Sequence, residues 1–270
     1  MSKSEYSISE ITRIIKGELI LESDTNTMIS ELSIDSRRLI VPEVSLFFAL
    51  ISKRNDGHKY IEELYEKGVR NFVVENEPAN LLLLYNANII KVKNTLTALQ
   101  TLAAAHRKQF SIPVIGITGS NGKTIVKEWL YQLLNESSNI VRSPKSFNSQ
   151  IGVPLSVWQM REDHDLAIFE AGISEQDEMD HLQPIIQPTI GIFTNIGHAH
   201  DENFINRTQK AGEKLKLFTK VKKLVYCIDQ KELQEGIIKT GLLKNIETFT
   251  WSRKTSADLQ ITKAHPDGHF

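Results

Sequence analysis

Val114-Ile-Gly-Ile-Thr-Gly-Ser-Asn-Gly-Lys-Thr124 joins an apolar run to a glycine-rich turn that closes on a lysine and a threonine. Those residue types at that spacing suit the holding of phosphate. Within the turn Gly119-Ser120-Asn121-Gly122, the glycines let backbone amides approach an anion with no Cβ in the way. Ile125 to Leu134 has helical spacing, so its first turn would aim free N–H groups and the positive end of the helix dipole at the same anion. Lys123 supplies a point charge for β- and γ-phosphates, and the Thr124 hydroxyl a hard oxygen for Mg²⁺. The general phosphate-loop pattern is not strictly met, because Ile117 stands where its first glycine would be. A tight turn with a solvated lysine is the plainer alternative. Three glycines spaced by three, between an apolar strand and Lys-Thr, favour the nucleotide site.

Other candidates sit just past predicted strands, where ligands collect in open α/β sheets. Glu170 closes Leu166–Phe169 and precedes Ala171-Gly172; it reads equally well as a magnesium ligand beside Thr124 or as a capping or ion-paired glutamate. Thr194-Asn-Ile-Gly-His-Ala-His200 follows a strand over Thr189–Phe193, and at most one of its two histidines is expected to face a site. The basic stretch Lys210–Lys216 reads, on its own, as a solvated helix face.

These residues need a scaffold that brings them together. From Pro113 onward, strands at Leu166–Phe169, Thr189–Phe193, Leu224–Ile228 and Ile246–Thr250 alternate with helices at Trp129–Asn135, Val153–Met160, Glu178–Ile185 and Thr208–Phe218. Such alternation predicts a mostly parallel, doubly wound α/β sheet. Before it, Ser7-Ile-Ser-Glu10 is a capping box opening a helix, and strands are expected at Ile29–Ile34, Leu46–Leu50, Val69–Val74 and Ile89–Val92, with a helix over His58–Lys67. This forms a small α/β unit, residues 1–93, ahead of a nucleotide-binding domain, residues 94–270, that opens with a helix over Thr95–Phe110. The last residues, 264–270, have the character of an interior turn, so the second domain is expected to be incomplete.

At 270 residues the chain has length for about two domains. Lys and Arg number 32 against 33 Asp and Glu, a net charge of −1 that argues against nucleic acid or anionic membrane as a partner. The single cysteine, Cys227, cannot form an internal disulfide and suits a reducing cytoplasm. No apolar run is long enough for a signal peptide or a membrane span.

Together the blocks resemble the Mur ligases, ATP-dependent enzymes that add amino acids to the peptidoglycan precursor, and within them the branch that joins D-alanyl-D-alanine to UDP-N-acetylmuramoyl-tripeptide. Gly116–Thr124 is similar to the family's ATP loop, Asn148-Ser-Gln-Ile-Gly-Val-Pro-Leu155 to its Asn-Asn-Glu-Ile-Gly-Val-Pro-Leu segment, and Phe169-Glu-Ala-Gly172 to its Glu-Met-Gly block. Thr194–His200 is similar to Thr-Asn-Val-Gly-Pro-Ala-His. The resemblance implies Glu170 as a magnesium ligand, His200 as a second metal-binding residue, no role for His198, and Lys214 as a lysine carbamylated by CO₂. Two magnesium ions are implied, one near Thr124 and Glu170 and one near His200 and Lys214. Asp35-Ser-Arg37, Leu46–Leu50 and Arg54-Asn-Asp-Gly-His58 are similar to segments of the uridine-nucleotide domain, which implies substrate contacts from Ser36, Arg37, Asn55, Asp56, Gly57 and His58, with Asn148 in the second domain. Ile125, Ser149 and Gln150 depart from the family pattern.

The implied reaction moves the ATP γ-phosphoryl onto the tripeptide carboxylate, and the dipeptide amine then displaces phosphate. The catalytic set would be Lys123, Glu170, His200 and Lys214. The family's third domain is not among these residues, so this chain alone is expected to be inactive, and its N-terminal half also resembles chains fused to an alanine racemase. Folylpolyglutamate or cyanophycin synthetases of the same superfamily are an alternative, as is a non-catalytic nucleotide-binding module.

Overall fold

A computed structural model describes residues 5–38, 41–53, 55–198 and 201–263. Two compact units form: one runs to Ser111 and takes back Val157–Glu162, and the other comprises Ile112–Ser156 and continues from Asp163. The division therefore falls 18 residues later than the sequence predicts. The reason is α3, treated below.

In the first unit, β1 (Tyr6–Ser7) leads into α1 (Ile8–Ile15), which opens as expected: Glu10 N–H donates to Ser7 Oγ and Ser7 N–H to Glu10 Oε2, the reciprocal capping box. The expected strand over Ile29–Ile34 divides into β3 (Met28–Ile29), which pairs antiparallel with β1, and β4 (Glu31–Ser33), which pairs in the larger sheet. With β2 (Glu18–Leu21), β5 (Ser45–Phe48), β6 (Asn71–Val74) and β7 (Asn88–Lys91) a five-stranded sheet forms in the order β2-β7-β6-β5-β4, parallel except for β2. A turn of 3-10 helix, Gly57–Tyr60, precedes α2 (Ile61–Glu66). Phe47, Leu64, Phe72, Val74 and Ile89 fill the core between them.

Helix α3 (Thr95–Arg107) belongs to this unit because it packs on α1. Its His106 is fully buried. The Met160 carbonyl can only accept, so His106 Nε2–H donates to it at 3.1 Å, leaving Nδ1 to accept from the Tyr6 hydroxyl at 3.0 Å. The Trp158 ring lies 4.7 Å from that of His106, and Trp158 Nε1 donates to Ser30 O.

The second unit is a doubly wound α/β domain. In chain order it runs β8 (Val114–Thr118), α4 (Lys123–Leu134), β9 (Ile140–Arg142), α5 (Gly152–Val157), β10 (Leu166–Glu170), α6 (Glu178–Ile186), β11 (Ile190–Phe193), α7 (Arg207–Leu215), β12 (Lys223–Cys227), α8 (Lys231–Thr240), β13 (Glu247–Ser252) and β14 (Leu259–Gln260). The seven strands are all parallel, in the order β14-β13-β12-β11-β8-β10-β9. Ile115, Ile117 and Ile168 are buried against Val126 and Leu130 of α4. The chain leaves β8 toward β9 and β10 on one side and returns to β11 on the other, so the carboxyl ends of β10, β8 and β11 flank a topological switch point. No helix among the described residues is long and apolar enough to cross a membrane. Residues 264–270, expected as a turn, lie outside the described residues.

Burial lowers the His106 pKa from 6.5 to about 4, the bond to Met160 opposing the shift. The unfolded chain thus takes up this proton first, and the stability tied to a neutral His106 is intact above pH 6.5 and is lost as the pH falls toward about 4. Urea unfolding should therefore show wild type losing about 2 kcal/mol more than His106→Gln between about pH 7 and pH 5. Equal losses in the two proteins would contradict the assignment.

Candidate active site

Strand β8 ends at Thr118 and the chain turns through Gly119–Gly122 into α4. Two backbone angles make this turn a glycine turn. Gly119 has φ of 144° and Gly122, the helix N-cap, 80°, both in the region that L side chains avoid. No side chain caps α4, so its first amides point into the turn unclaimed by a cap. Lys123 Nζ curls back to the carbonyls of Gly119 (2.9 Å) and Ser120 (3.3 Å). Burial lowers its pKa, and Glu170 opposes that shift.

The segment after β11 braces the turn from outside. Ser120 N–H donates to Asn195 O (2.8 Å), Asn121 N–H to Asn195 Oδ1 (3.1 Å), and Thr194 Oγ1 to Asn121 O (2.6 Å). Thr194 and Asn195 thus shape the loop, a role the sequence reading does not assign to them.

Glu170, at the end of β10, is fully buried. Its Oε2 accepts from Thr124 Oγ1 at 3.1 Å and from Asn148 Nδ2 at 3.4 Å, while Oε1 lies 3.0 Å from Lys127 Nζ. That last contact is an ion pair rather than a directed hydrogen bond, since Oε1 has no hydrogen-bond partner among the described residues. The ion-paired reading of Glu170 therefore holds for one oxygen, and the other stands beside the Thr124 hydroxyl. A carboxylate oxygen and a hydroxyl 3.1 Å apart are hard donors that suit a divalent cation of the Mg²⁺ type. Lys127 is a residue the sequence reading passes over. It was nonetheless findable, because it lies one turn after Lys123, on the face of α4 that carries Leu130 inward.

A cavity of about 150 Å³ lies against this cluster, lined among others by Gly119, Ser120, Lys123, Asn148, Glu178 and Lys214. The solvated-face reading of the basic helix fails here. Lys210 and Lys214 are buried, at 1% and 3% exposure, Lys210 against Gly197 and Asp201 in the segment after β11 and Lys214 against the cavity. Lys210 Nζ is held by Gly197 O and the Asp201 carboxylate. Lys214 Nζ makes no hydrogen bond or ion pair among the described residues, and its pKa falls to about 7, chiefly through burial and then through the charges of Lys123 and Lys210. Lys216 alone sits at the surface, among Asp177 (3.2 Å), Asp180 (2.6 Å) and Glu213 (2.7 Å). His198 is exposed beside Arg207 and Asp201. His200 lies outside the described residues.

In the first unit, Ser36, Arg37 and Asn55 line a cavity of about 560 Å³ with Asp35, Tyr60 and Glu63. Arg37 forms a two-pronged pair with Asp35 at 2.8 and 2.9 Å, which lowers the Asp35 pKa to about 2. Asp56, Gly57 and His58 instead build the turn that follows Asn55. His58 Nε2 accepts from the Glu75 and Asn76 amides, so Nδ1 carries the proton and donates to Asp56 at 2.6 Å. A Cβ on Gly57 would lie 2.8 Å from the Ala49 backbone.

A glycine turn after a central parallel strand, a lysine at its exit and a carboxylate at the end of the neighbouring strand define a phosphate-binding α/β domain. Residues 117–269 match the family model described as "Mur ligase middle domain", and residues 28–107 match "Mur ligase family, catalytic domain". The chain belongs to the Mur ligase family. The gap between the two matches spans the division at Ser111. A UDP-N-acetylmuramoyl-tripeptide–D-alanyl-D-alanine ligase of Bacillus subtilis is 32% identical, over 97% of this chain and 56% of its own length; one of Treponema pallidum is 34% identical, over 79% and 48%. Of solved structures, MurF from Acinetobacter baumannii shares the fold with a TM-score of 0.82 at 24% identity, over 93% of this chain and 54% of that one. MurF ligase from Thermotoga maritima in complex with ADP gives 0.71 at 26% identity, over 83% and 51%. The chain spans about half the length of the curated relatives it matches.

A Cβ at position 119 would stand 2.0 Å from Thr194 Oγ1 on a backbone L residues avoid. Gly119→Ala should therefore destabilise by about 1–3 kcal/mol, lowering Tm by several degrees, and Thr194→Ala in the same chain should recover part of the loss as a non-additive pair. Strict additivity in thermal melts would show that Thr194 does not pack against the loop.

Proposed function

We propose that this chain carries the nucleotide- and acceptor-binding parts of an ATP-dependent ligase that joins D-alanyl-D-alanine to UDP-N-acetylmuramoyl-tripeptide. The observation that carries the reading is the convergence of Lys123 and Lys214 on one cavity beside the Thr124–Glu170 pair. Family membership and the names of the relatives supply the substrate class.

Lys123 leaves the carbonyls of Gly119 and Ser120 for the β- and γ-phosphates of ATP. The free amides at the start of α4 hold the same phosphates. Thr124 and Glu170 would hold one Mg²⁺, which would neutralise charge on the phosphates. Asn148 fixes the Glu170 oxygen on that side. The tripeptide's terminal carboxylate takes the γ-phosphoryl, giving an acyl phosphate and ADP, and the dipeptide amine then attacks the acyl carbon and expels inorganic phosphate. No side chain need act as a covalent nucleophile. In the first unit, Ser36, Arg37 and Asn55 bind the uridine nucleotide, with Asp56, Gly57 and His58 holding the turn in shape. The assignment of His200 to a second ion rests on the resemblance alone.

Lys214 is read as the carbamylated lysine. A buried amine with no acceptor among the described residues and a pKa of about 7 is largely neutral above that pH, which is the form that adds CO₂. The step is R–NH₂ + CO₂ → R–NH–COO⁻ + H⁺. It turns a cation crowded by Lys123 and Lys210 into an anion attracted by both, with two hard oxygens for the second ion.

In the full-length protein, Lys214→Ala should lose ligation, read as phosphate release with both substrates present, and a small added carboxylate should restore part of it. Lys123→Ala should lose it with no such rescue, by several kcal/mol of transition-state stabilisation, on the order of an electrostatic donor. Wild-type turnover by either variant would overturn the reading.

A further inference from the structure

Lys127 is fully buried, yet its ammonium does not approach the cavity. It reaches the Ser143 carbonyl at 2.7 Å, the Lys145 carbonyl, Glu128 Oε1 at 3.0 Å and Glu170 Oε1 at 3.0 Å. Four oxygens around one buried cation make a fixed point. Glu170 is constrained from the other side as well, by its own amide on Ser143 Oγ (3.2 Å) and by Thr124 and Asn148 on Oε2. The carboxylate is therefore divided: Oε1 faces a cation of the protein, and Oε2 faces the hydroxyl of Thr124.

We propose that Lys127 is a metal-selectivity residue, restricting Glu170 to a single oxygen so that the site takes a small divalent cation and rejects a larger one. The inference rests on the reading of Thr124 and Glu170 as a cation site. Mg²⁺ takes six oxygens in a tight octahedron, keeps several waters and is met by one carboxylate oxygen at a time; Ca²⁺ takes six to eight and is commonly held by both oxygens of one carboxylate. An ion straddling Oε1 and Oε2 here would come up against the Lys127 ammonium. An ion on Oε2 alone would not.

The test is the binding of ADP to this chain by calorimetry, in Mg²⁺ and in Ca²⁺, for wild type, Lys127→Met and Lys127→Arg. Wild type should bind ADP more tightly with Mg²⁺. In Lys127→Met that preference should shrink by roughly tenfold or more through gained Ca²⁺ affinity, while Lys127→Arg, which keeps the cation, should retain it. A merely structural lysine would weaken both metals alike and leave the ratio unmoved. If Lys127→Met does not fold by circular dichroism, Lys127→Gln, whose amide can still donate to Ser143 O, serves the same comparison. A ratio within about twofold of wild type in the folded neutral variant overturns the proposal and leaves the cation site standing. Metal-independent ADP binding by wild type overturns both.

Discussion

The second unit is organised around one buried carboxylate. Glu170 terminates β10 with no solvent exposure, and an isolated ionised carboxylate in that position would be untenable. Lys127 makes it tenable by bringing a matching charge from α4, and the pair is closed by the carbonyls of Ser143 and Lys145 on one side and by Thr124 and Asn148 on the other. Breaking such a pair by removing one partner costs about 3–5 kcal/mol, far more than a surface ion pair contributes. The strand end, the helix after the loop and the segment around Asn148 are thereby fixed to each other. The sheet order then places the loop after β8 and the brace after β11 beside them.

Lys123 and Lys214 face one small cavity, and Lys210 stands a turn before Lys214 on α7, while Lys127 is met by Glu128, Glu170 and two carbonyls and Lys210 by Asp201 and the Gly197 carbonyl. The cavity lining also includes Glu178, whose carboxylate accepts from the Ser174 and Glu175 amides. A phosphate-bearing ligand would answer the amines of Lys123 and Lys214, and beside them the Thr124 hydroxyl and Glu170 Oε2 present hard oxygens of the kind a divalent cation takes.

Much of this was legible in the sequence because it is local. The capping box at Ser7 and Glu10 and the glycine turn before Lys123 are encoded within a few residues of where they act, and the alternation of strands and helices carries the sheet class. Features that depend on distant chain were not. Strands β9 and β14, of three and two residues, are too short to show a pattern, and α8 has few apolar positions. The apolar face of α3 is visible in the sequence, but nothing local says that α1 covers it, so the division was placed before that helix instead of after it. Lysines read as surface by default. The burial of Lys210 follows from the Gly197 carbonyl and the Asp201 carboxylate, and that of Lys127 from Glu170, 43 residues away, in addition to the neighbouring Glu128; the distant partners cannot be read from local sequence.

The central claim, that Thr124 and Glu170 hold the divalent ion of a bound nucleotide, is tested most directly by anomalous diffraction from crystals grown with Mn²⁺ and ADP. The manganese peak should lie within coordination distance of Thr124 Oγ1 and Glu170 Oε2, with the ADP phosphates against Gly119–Lys123. A well-occupied nucleotide whose manganese sits away from both residues would contradict the account.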